Sequence, residues 1–296
     1  MTLQDLYREG IRKLTENEVP EAELNAWYLL QSCLSEEPFS YTRSRFFLEQ
    51  MEQAAPETIT SYMEKVSKRE EHIPLEYILG YTEFMGLTFL VREGVLIPRQ
   101  DTEILVEMAV EVSTGKRVLD LCTGSGCIGL SIAVWGNPKA VTLSDVSEEA
   151  IATAGQNERN LDKNGWKGRG RKPEITYALG NLWEPIDGKF DLIVSNPPYI
   201  ETEELSGLMP EVIDHEPLLA LDGGKSGLVF YEKILEKAPF YLEEAGILMV
   251  EIGYNQGEQV KQLFEKNGFA DVEIKKDLAG LDRVAIGQKN NNWNAF

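Results

Sequence analysis

The sequence contains few cysteines and histidines and no long apolar run. Its three cysteines, Cys33, Cys122 and Cys127, show neither metal-ligand spacing nor the even count of a disulfide framework, so we expect no metal site. No segment approaches the roughly 18 apolar residues of a membrane-spanning helix, and the polar start of the chain lacks the apolar core of a signal peptide. These absences predict a cytoplasmic protein without a membrane partner.

Positive charge is also scarce, because 29 lysines and arginines stand against 49 aspartates and glutamates, for a formal net charge of −20. Proteins that bind duplex DNA or RNA usually present a basic surface, since neutralising phosphates supplies most of their affinity. Direct nucleic-acid binding is therefore not expected. The acidity suits a basic protein partner, or solubility alone. The one basic segment, residues 163–172, is interpreted as a solvated loop.

Hydrophobic periodicity divides the chain into segments of different character. Residues 1–74 show amphipathic helical patterns and no strand signal, which predicts a small helical domain. Residues 75–97 are rich in aromatic and branched residues and are punctuated by glycines, which indicates a β-hairpin connector. Residues 98–289 form the larger domain, and residues 290–296 form a tail without periodicity.

Apolar strands alternate with helices in the larger domain. Strands are predicted at 117–122, 140–146, 175–180, 190–195, 246–252, 271–276 and 283–287. Helices are predicted between most of them, at 126–135, 147–163, 225–243 and 255–267. This alternation predicts an α/β fold with a doubly wound, mostly parallel seven-stranded sheet. The short link between the last two strands predicts an antiparallel pair at one edge.

A glycine-rich turn follows the first predicted strand of this sheet, in VLDLCTGSGCIG at residues 118–129. Gly124, Gly126 and Gly129 form G-x-G-x-x-G, and Asp145 lies near the end of the next predicted strand, as in dinucleotide-binding proteins. Asp120 favours S-adenosylmethionine over a nicotinamide cofactor. A carboxylate at that position would repel a pyrophosphate, whereas it would attract a sulfonium ligand that also carries an ammonium group.

The segment SNPPYI, residues 195–200, ends another predicted strand on Asn196, Pro197, Pro198 and Tyr199. Prolines have a fixed φ and no N–H to donate, so a double proline cannot continue a central strand. The Asn196 side-chain oxygen and the Pro197 carbonyl can accept hydrogen bonds from a planar –NH2 group, and Tyr199 can stack on its flat π-system. Asn196, Pro197 and Tyr199 are therefore the predicted catalytic residues. Adenine N6, cytosine N4 and a glutamine carboxamide all fit this loop.

Several longer segments carry a resemblance to a known family. They are IPR-x-x-TE at residues 97–103, DLCTGSGCIG, SNPPYI, HEPLLALDGGKSGL at 215–228, EIGYNQG at 251–257 and DLAGLDRV at 277–284. In these segments, and in their order, the chain resembles the HemK-type protein-(glutamine N5) methyltransferases of bacterial release factors. The resemblance implies methylation of the glutamine in the Gly-Gly-Gln motif of class 1 peptide-chain release factors. S-adenosyl-L-methionine would be the donor and S-adenosyl-L-homocysteine the product. Residues 1–74 would dock the substrate, and residues 98–289 would form the methyltransferase domain.

The resemblance also implies a set of site residues. Those of the cofactor are Cys122, Thr123, Gly124, Ser125, Gly126, Asp145, Asn181, Leu182 and Asn196. Those of the acceptor are Asn196, Pro197, Pro198 and Tyr199, with Arg99, Glu103 and Glu216 shaping the mouth of the pocket.

Three positions depart from the family pattern. Cys122 stands where many members have glycine, Asn181 where an acid is common, and His215 where phenylalanine is frequent. The small side chain of Cys122 is expected to leave the turn intact. The Asn181 amide can still hydrogen-bond an adenine amino group, with weaker discrimination.

Other functions stay open on the residues alone. An adenine-N6 or other nucleic-acid amine methyltransferase would flip a base into the same kind of pocket. The GSGCIG turn also permits a nicotinamide-dependent oxidoreductase. A non-catalytic binding module would keep the fold and use the helical domain to hold a partner.

Overall fold

The computed structural model describes residues 1–164 and 172–290. Most of the basic segment predicted at 163–172, and all of the tail after residue 290, lie outside the described residues.

The described residues form eleven α-helices and nine β-strands. The helices are α1 (Leu3–Glu16), α2 (Ala22–Leu34), α3 (Arg43–Glu49), α4 (Pro56–Glu70), α5 (Leu75–Leu79), α6 (Glu103–Ser113), α7 (Cys127–Gly136), α8 (Glu148–Asn164), α9 (Pro210–Ile213), α10 (Val229–Tyr241) and α11 (Gly257–Lys266). The strands are β1 (Tyr81–Phe84), β2 (Leu87–Leu90), β3 (Arg117–Leu121), β4 (Ala140–Asp145), β5 (Glu174–Leu179), β6 (Phe190–Ser195), β7 (Leu242–Glu251), β8 (Phe269–Lys276) and β9 (Asp282–Lys289).

The chain divides into two compact units. One contains Met1–Thr82 together with Met209–His215, and the other contains Glu83–Leu208 together with Glu216–Phe296. The domain boundaries predicted at residues 74, 97 and 289 stay a prediction. The first unit thus includes a short segment, Met209–His215, that interrupts the sequence of the second unit. Hydrophobic periodicity could not predict this, because it reports only local structure.

The first unit is helical because its amphipathic segments bury one face each. Helix α1 begins with a capping box in which Thr2 and Asp5 exchange hydrogen bonds, so two N–H groups at the helix start are satisfied. Leu6 and Leu14 of this helix and Leu30 of α2 are fully buried in one cluster. Burial of these apolar side chains is the main source of stability for the unit.

A buried arginine links three parts of the first unit. The Arg69 Nε of α4 donates to the Asn25 side-chain oxygen of α2 at 2.7 Å, and its guanidinium pairs with Glu211 of α9. Both members of the ion pair are largely buried, so the removal of either one would leave an uncompensated charge. This pair attaches the segment Met209–His215 to the helices.

The second unit contains a seven-stranded sheet with the strand order β5-β4-β3-β6-β7-β9-β8. Pairing is parallel from β5 to β7, and β9 is antiparallel to both β7 and β8. The predicted fold class and the antiparallel edge are confirmed. Strands β1 and β2 form a separate two-stranded sheet in the segment where a hairpin was predicted.

Successive residues of the central strands enter two different cores. Val118 and Leu192 join the cluster with α6, α7 and α8, whereas Leu119 and Ile193 join the cluster with α10 and α11. This alternation follows from the two-residue period of a strand. Both faces of the sheet are therefore covered, which explains why β3 and β6 read as continuous apolar runs.

Strand β7 begins earlier than the sequence predicted. The sequence pattern predicts a helix over 225–243, but α10 ends at Tyr241 and β7 begins at Leu242. Leu242 is fully buried and pairs with Phe190 of β6, and an irregularity follows before Leu192 pairs with Ile247. The first part of this strand, Leu242–Ala245, contains two glutamates and an alanine, which favour helices, so the residue types did not indicate a strand here.

Two helical glycines provide a matched test of this packing. A Cβ on Gly10 of α1 would lie 1.8 Å from the Tyr62 hydroxyl oxygen, whereas a Cβ on Gly155 of α8 would meet only ordinary contacts of 3.6 Å or more. We expect Gly10→Ala to lower the free energy of unfolding by about 1–3 kcal/mol through overpacking. Gly155→Ala should raise it by about 0.5–1 kcal/mol through helix propensity. Urea denaturation measures both, and equal effects of the two substitutions would contradict the packing described.

Candidate active site

A cavity of about 280 Å³ lies at the carboxyl ends of β3, β4 and β6, within the second unit. Ligands of open α/β sheets bind at such strand ends. The predicted site residues that line the cavity are Arg99, Cys122, Thr123, Gly124, Ser125, Asp145, Asn181, Leu182, Asn196 and Pro198. Asp120, Gly126, Pro197, Tyr199, Glu103 and Glu216 are not part of its lining.

The turn between β3 and α7 depends on left-handed backbone conformations. Cys122, Gly124 and Gly126 have φ angles of 62°, 54° and 81°. The Thr123 N–H donates to the Ser144 carbonyl at 2.9 Å, which joins the turn to β4. Glycine adopts this conformation without the steric cost that a Cβ adds, so Cys122 carries a backbone strain that Gly124 and Gly126 do not. Burial raises the pKa of the Cys122 thiol, which therefore stays protonated.

Asp120 lies beneath this turn and is fully buried. Its Oδ2 accepts hydrogen bonds from the Thr123 hydroxyl at 2.5 Å and from the Gly129 N–H at 2.8 Å. Burial raises the pKa of Asp120 to about 7. The carboxyl group thus ties the turn to the start of α7. Its predicted attraction for a cationic cofactor stays a prediction, because the side chain does not reach the cavity wall.

Asp145, the last residue of β4, connects the glycine turn to α8. Its Oδ2 accepts from the Gly124 N–H at 2.8 Å, and its Oδ1 accepts from the Ser147 N–H at 3.0 Å. Burial raises the pKa of Asp145, while these backbone donors act in the opposite direction. The carboxylate lines the cavity and keeps further lone pairs for a ligand hydroxyl.

The NPPY loop begins where β6 ends. The Asn196 side-chain N–H donates to the Thr102 hydroxyl oxygen at 3.3 Å, so the Asn196 Oδ1 is left as the acceptor of this amide. Pro198 lines the cavity, but Pro197 does not. The Tyr199 hydroxyl donates to Glu251 Oε1 at 3.3 Å behind the loop, and the predicted stacking of this ring on an acceptor stays a prediction.

An ion pair between Arg99 and Glu216 lies beside the cavity. The Glu216 side chain is 1% exposed, and its second oxygen also accepts from the Ile97 N–H at 3.2 Å. Only Arg99 of this pair lines the cavity. Glu103, at the start of α6, instead accepts from the backbone N–H of Met85 at 2.5 Å. The structure thus gives Glu103 and Glu216 contacts that support the backbone beside the site.

Two family models match the chain. Residues 98–233 match the methyltransferase small domain, and residues 5–80 match the PrmC N-terminal domain. Release factor glutamine methyltransferase of Geobacter sulfurreducens is 40% identical over 277 residues, which cover 93% of this chain and 92% of the relative. The protein of that name from Clostridium botulinum is 38% identical over 297 residues, with 98% and 100% covered. The chain belongs to the release factor glutamine methyltransferase family.

A solved structure agrees with this assignment at the level of the fold. A methyltransferase from Pyrococcus furiosus superimposes with a TM-score of 0.51 at 22% identity, over 69% of this chain and 90% of that one. Membership of the release factor glutamine methyltransferase family confirms the predicted fold, the enzymatic methyl transfer and S-adenosylmethionine as donor. It supports the main functional prediction over the adenine-N6 alternative. Across residues 1–164 and 172–290, no helix is both long enough and apolar enough to cross a bilayer.

The polar groups of the cavity suit S-adenosylmethionine, a ligand with a carboxylate, an ammonium group and ribose hydroxyls. The hydroxyls of Ser125 and Ser144, two residues of the cavity wall, are buried and have no hydrogen-bond partner among the described residues, and a polar ligand would satisfy them. A Cβ added to Gly124 would meet no atom of residues 1–164 or 172–290 within 4 Å, so the turn leaves open space where a ligand can approach the backbone. These features fit the cofactor of the release factor glutamine methyltransferase family.

Sequence reasoning missed several residues at this site. Thr102 belongs to the IPR-x-x-TE segment, but no role was predicted for its hydroxyl. Phe230 also lines the cavity, and so do residues on either side of the glycine turn, namely Gly94, Val95, Leu96, Pro98, Val146, Ser147, Glu149 and Ala150. No motif signals Phe230, because an apolar residue near the start of a helix reads as ordinary core.

Removal of the Asp145 carboxylate tests the cofactor site. We expect Asp145→Ala to raise the Kd of S-adenosylmethionine about tenfold to a hundredfold, because charged hydrogen bonds contribute about 1.5–3 kcal/mol each. Glu148→Ala is the matched control, since Glu148 is exposed and carries the same charge but does not line the cavity. Isothermal titration calorimetry measures the Kd of S-adenosylmethionine for both variants. An unchanged Kd for Asp145→Ala would show that Asp145 does not bind the cofactor.

Proposed function

We propose that this protein transfers the methyl group of S-adenosylmethionine to the side-chain amide nitrogen of the glutamine in the Gly-Gly-Gln motif of class 1 peptide-chain release factors. The observation that carries the proposal is the orientation of Asn196 at the cavity. Its N–H group is turned toward Thr102, and its Oδ1 therefore serves as an acceptor for the N–H of a planar amide. The names of the relatives support the substrate class.

The carboxamide nitrogen is a poor nucleophile because its lone pair is delocalised. No ordinary base removes its proton at neutral pH, so the site must orient the nitrogen and polarise its N–H bonds. Asn196 Oδ1, at the cavity wall, is the proposed acceptor of one of those two hydrogens. The Pro197 carbonyl is the proposed acceptor of the other, although Pro197 is not part of the cavity lining before substrate binds. Positioning of this kind lowers the activation barrier by up to about 7–11 kcal/mol in the ideal limit. S-adenosylmethionine supplies an electrophilic methyl group on a positively charged sulfur.

The rigidity of the acceptor loop supports this role. Pro197 and Pro198 have fixed φ angles, and Pro198 also restricts the ψ angle of Pro197, so the direction of the Pro197 carbonyl is constrained before substrate arrives. The Tyr199 carbonyl accepts from Gln256 Nε2 at 2.9 Å, and the Ile200 N–H donates to the Leu221 carbonyl at 3.0 Å. The loop is thus preorganised by its own backbone contacts, as catalysis by fixed dipoles requires.

The helical domain, residues 1–74, is the proposed docking region for the release factor. Helix α3 and the residues after it expose Phe47 at 73%, Leu48 at 81% and Met51 at 68%. Adjacent exposed apolar side chains of this size are typical of protein interaction surfaces. Such a surface would hold the bulk of the substrate protein while the glutamine enters the cavity.

The proposal is tested with labelled S-adenosylmethionine and a class 1 release factor. We expect label on the wild-type factor and none on a variant with Gln→Ala in its Gly-Gly-Gln motif. Equal labelling of the two factors would refute the proposed acceptor. Transfer of label to RNA or DNA, with none to protein, would establish the nucleic-acid alternative.

Asn196→Ala tests the role of the acceptor loop. We expect kcat to fall about 100-fold to 1,000-fold, as when one preorganised polar group is removed from a transition-state site. The Kd of S-adenosylmethionine should change far less, because the glycine turn and Asp145 remain. A variant that methylates the release factor at the wild-type rate would exclude Asn196 from catalysis.

A further inference from the structure

A buried threonine and a buried glutamate lie directly behind the acceptor loop. Thr102 is 2% exposed and ends the turn before α6, and Glu251 is 1% exposed and ends β7. The elements that carry them are far apart in the sequence, yet both residues contact the NPPY loop. A charged side chain is rarely this buried without a function or a paired partner, so the arrangement needs a reason.

Thr102 contacts the residue that orients the substrate. Its Oγ1 accepts from Asn196 Nδ2 at 3.3 Å. A threonine hydroxyl has one hydrogen of its own to donate, and hydrogen bonding from Thr102 lowers the pKa of the Glu251 carboxyl group, against the rise that burial causes. Among the residues that the structure describes, no hydrogen-bond donor is paired with Glu251 Oε2, so rotation of the Thr102 hydroxyl can direct its hydrogen to this oxygen.

Glu251 contacts the other end of the same loop. Its Oε1 accepts from the Tyr199 hydroxyl at 3.3 Å. The positive charge of Arg283 lowers the pKa of Glu251, but the Arg283 guanidinium forms its ion pairs with Asp101 at 3.0 Å and with Asp277 at 2.9 Å. The one guanidinium is therefore shared among several acids, and Glu251 keeps its capacity to accept hydrogen bonds from Thr102 and Tyr199.

An amide side chain can bind in two orientations that have almost the same shape. The Asn196 nitrogen would face Thr102 in one of them, and the oxygen would face Thr102 in the other. A lone threonine hydroxyl does not choose between them, because it can either donate or accept. An ionised carboxylate can accept hydrogen bonds but cannot donate one. The Thr102 hydroxyl must therefore donate its hydrogen to Glu251, and the Thr102 oxygen is left to accept a hydrogen bond from Asn196. Only the orientation with the Asn196 nitrogen toward Thr102 is then satisfied.

We propose that Thr102 and Glu251 are positioning residues that set the orientation of the Asn196 amide and anchor Tyr199, so that Asn196 Oδ1 faces the glutamine nitrogen of the substrate. This inference rests on the proposed function. In this arrangement the buried Glu251 carboxylate aligns both ends of the NPPY loop, Asn196 through Thr102 and Tyr199 directly.

The protonation state of Glu251 controls this arrangement. Burial raises the pKa of Glu251 to about 7. Because this pKa lies above the ordinary value of 4.5, the folded protein binds the proton more tightly than the unfolded chain does. The contribution of Glu251 to folding stability is therefore complete below about pH 4.5 and is lost as the pH rises through 7. The ionised form is the one that orients Thr102, so kcat should rise with pH through the same range. The titratable groups that face Glu251 are Asp101, Cys127, Tyr199, Tyr231 and Arg283.

The first test removes only the hydroxyl of Thr102. Thr102→Val should lower kcat about tenfold or more, whereas Thr102→Ser, which keeps the hydroxyl, should retain most of the wild-type kcat. The KM for S-adenosylmethionine should stay near the wild-type value in both variants. Thr153→Val is the control, because Thr153 is fully buried and bonded to a backbone carbonyl in α8. It should leave kcat unchanged. A wild-type kcat for Thr102→Val, or an equal loss for Thr102→Ser, would overturn the proposal.

The second test uses Glu251→Gln and the pH profile of kcat between pH 5.5 and 8.5. The wild-type enzyme should show an inflection near pH 7, and the variant should show a lower kcat without it. Asp120 also has a pKa of about 7 and is unchanged in the variant. A persistent inflection in Glu251→Gln would therefore assign the titration to another group and overturn the role of Glu251.

These outcomes separate this inference from the proposed function. A wild-type enzyme that does not label the release-factor glutamine refutes the function itself. A wild-type enzyme that labels it, together with undiminished kcat in Thr102→Val or an unaltered pH profile in Glu251→Gln, refutes only the positioning role. If Thr102→Val does not fold, as judged by circular dichroism, the Glu251→Gln profile decides by the same criteria.

Discussion

The parallel pairing of β3 with β6 is the contact on which the site depends. Leu121, the last residue of β3, is in register with Ser195, the last residue of β6. The Ser195 hydroxyl also donates to the Leu121 carbonyl at 2.6 Å, so the two strand ends are joined once more beyond the ladder. The next residues along the chain are Cys122 and Asn196, where the glycine turn and the NPPY loop begin. A slip of one residue in this register would displace the turn relative to the loop by more than 3 Å, since a strand rises about 3.3 Å per residue.

The order of the strands explains why a cavity opens at this point. Strand β3 pairs with β4 on one side and with β6 on the other, so the connections that leave the two edges diverge to opposite faces of the sheet. Such a switch point leaves a crevice outside the strand ends. Asp145 closes one side of the crevice by binding the Gly124 and Ser147 N–H groups, and Asn196 closes the other side. The two prolines keep the acceptor side from continuing as a strand.

The sequence predicted the parts of the molecule that follow from local pattern. Apolar runs located the seven strands of the sheet, and the glycines located the turn, since left-handed φ angles at Gly124 and Gly126 have a direct signature in residue type. Contacts between segments that are distant in the sequence cannot be predicted from residue type in this way. The meeting of Thr102 with Asn196, and of Tyr199 with Glu251, depends on which strands are neighbours and on side-chain directions at their ends. The depth of Asp120 was missed for the same reason, because a carboxylate just before a glycine turn can face either the ligand or the helix.

The site places three acidic side chains at or behind one cavity, and this arrangement has a consequence for the reaction cycle. Burial raises the pKa of Asp120, Asp145 and Glu251, so keeping them ionised costs folding free energy. Of these three acids only Asp145 lines the cavity, so a positive charge on a bound ligand would lower the cost of ionising this carboxylate most directly. Methyl transfer converts the sulfonium of S-adenosylmethionine to a neutral thioether, so any such attraction would be weaker for the product than for the donor.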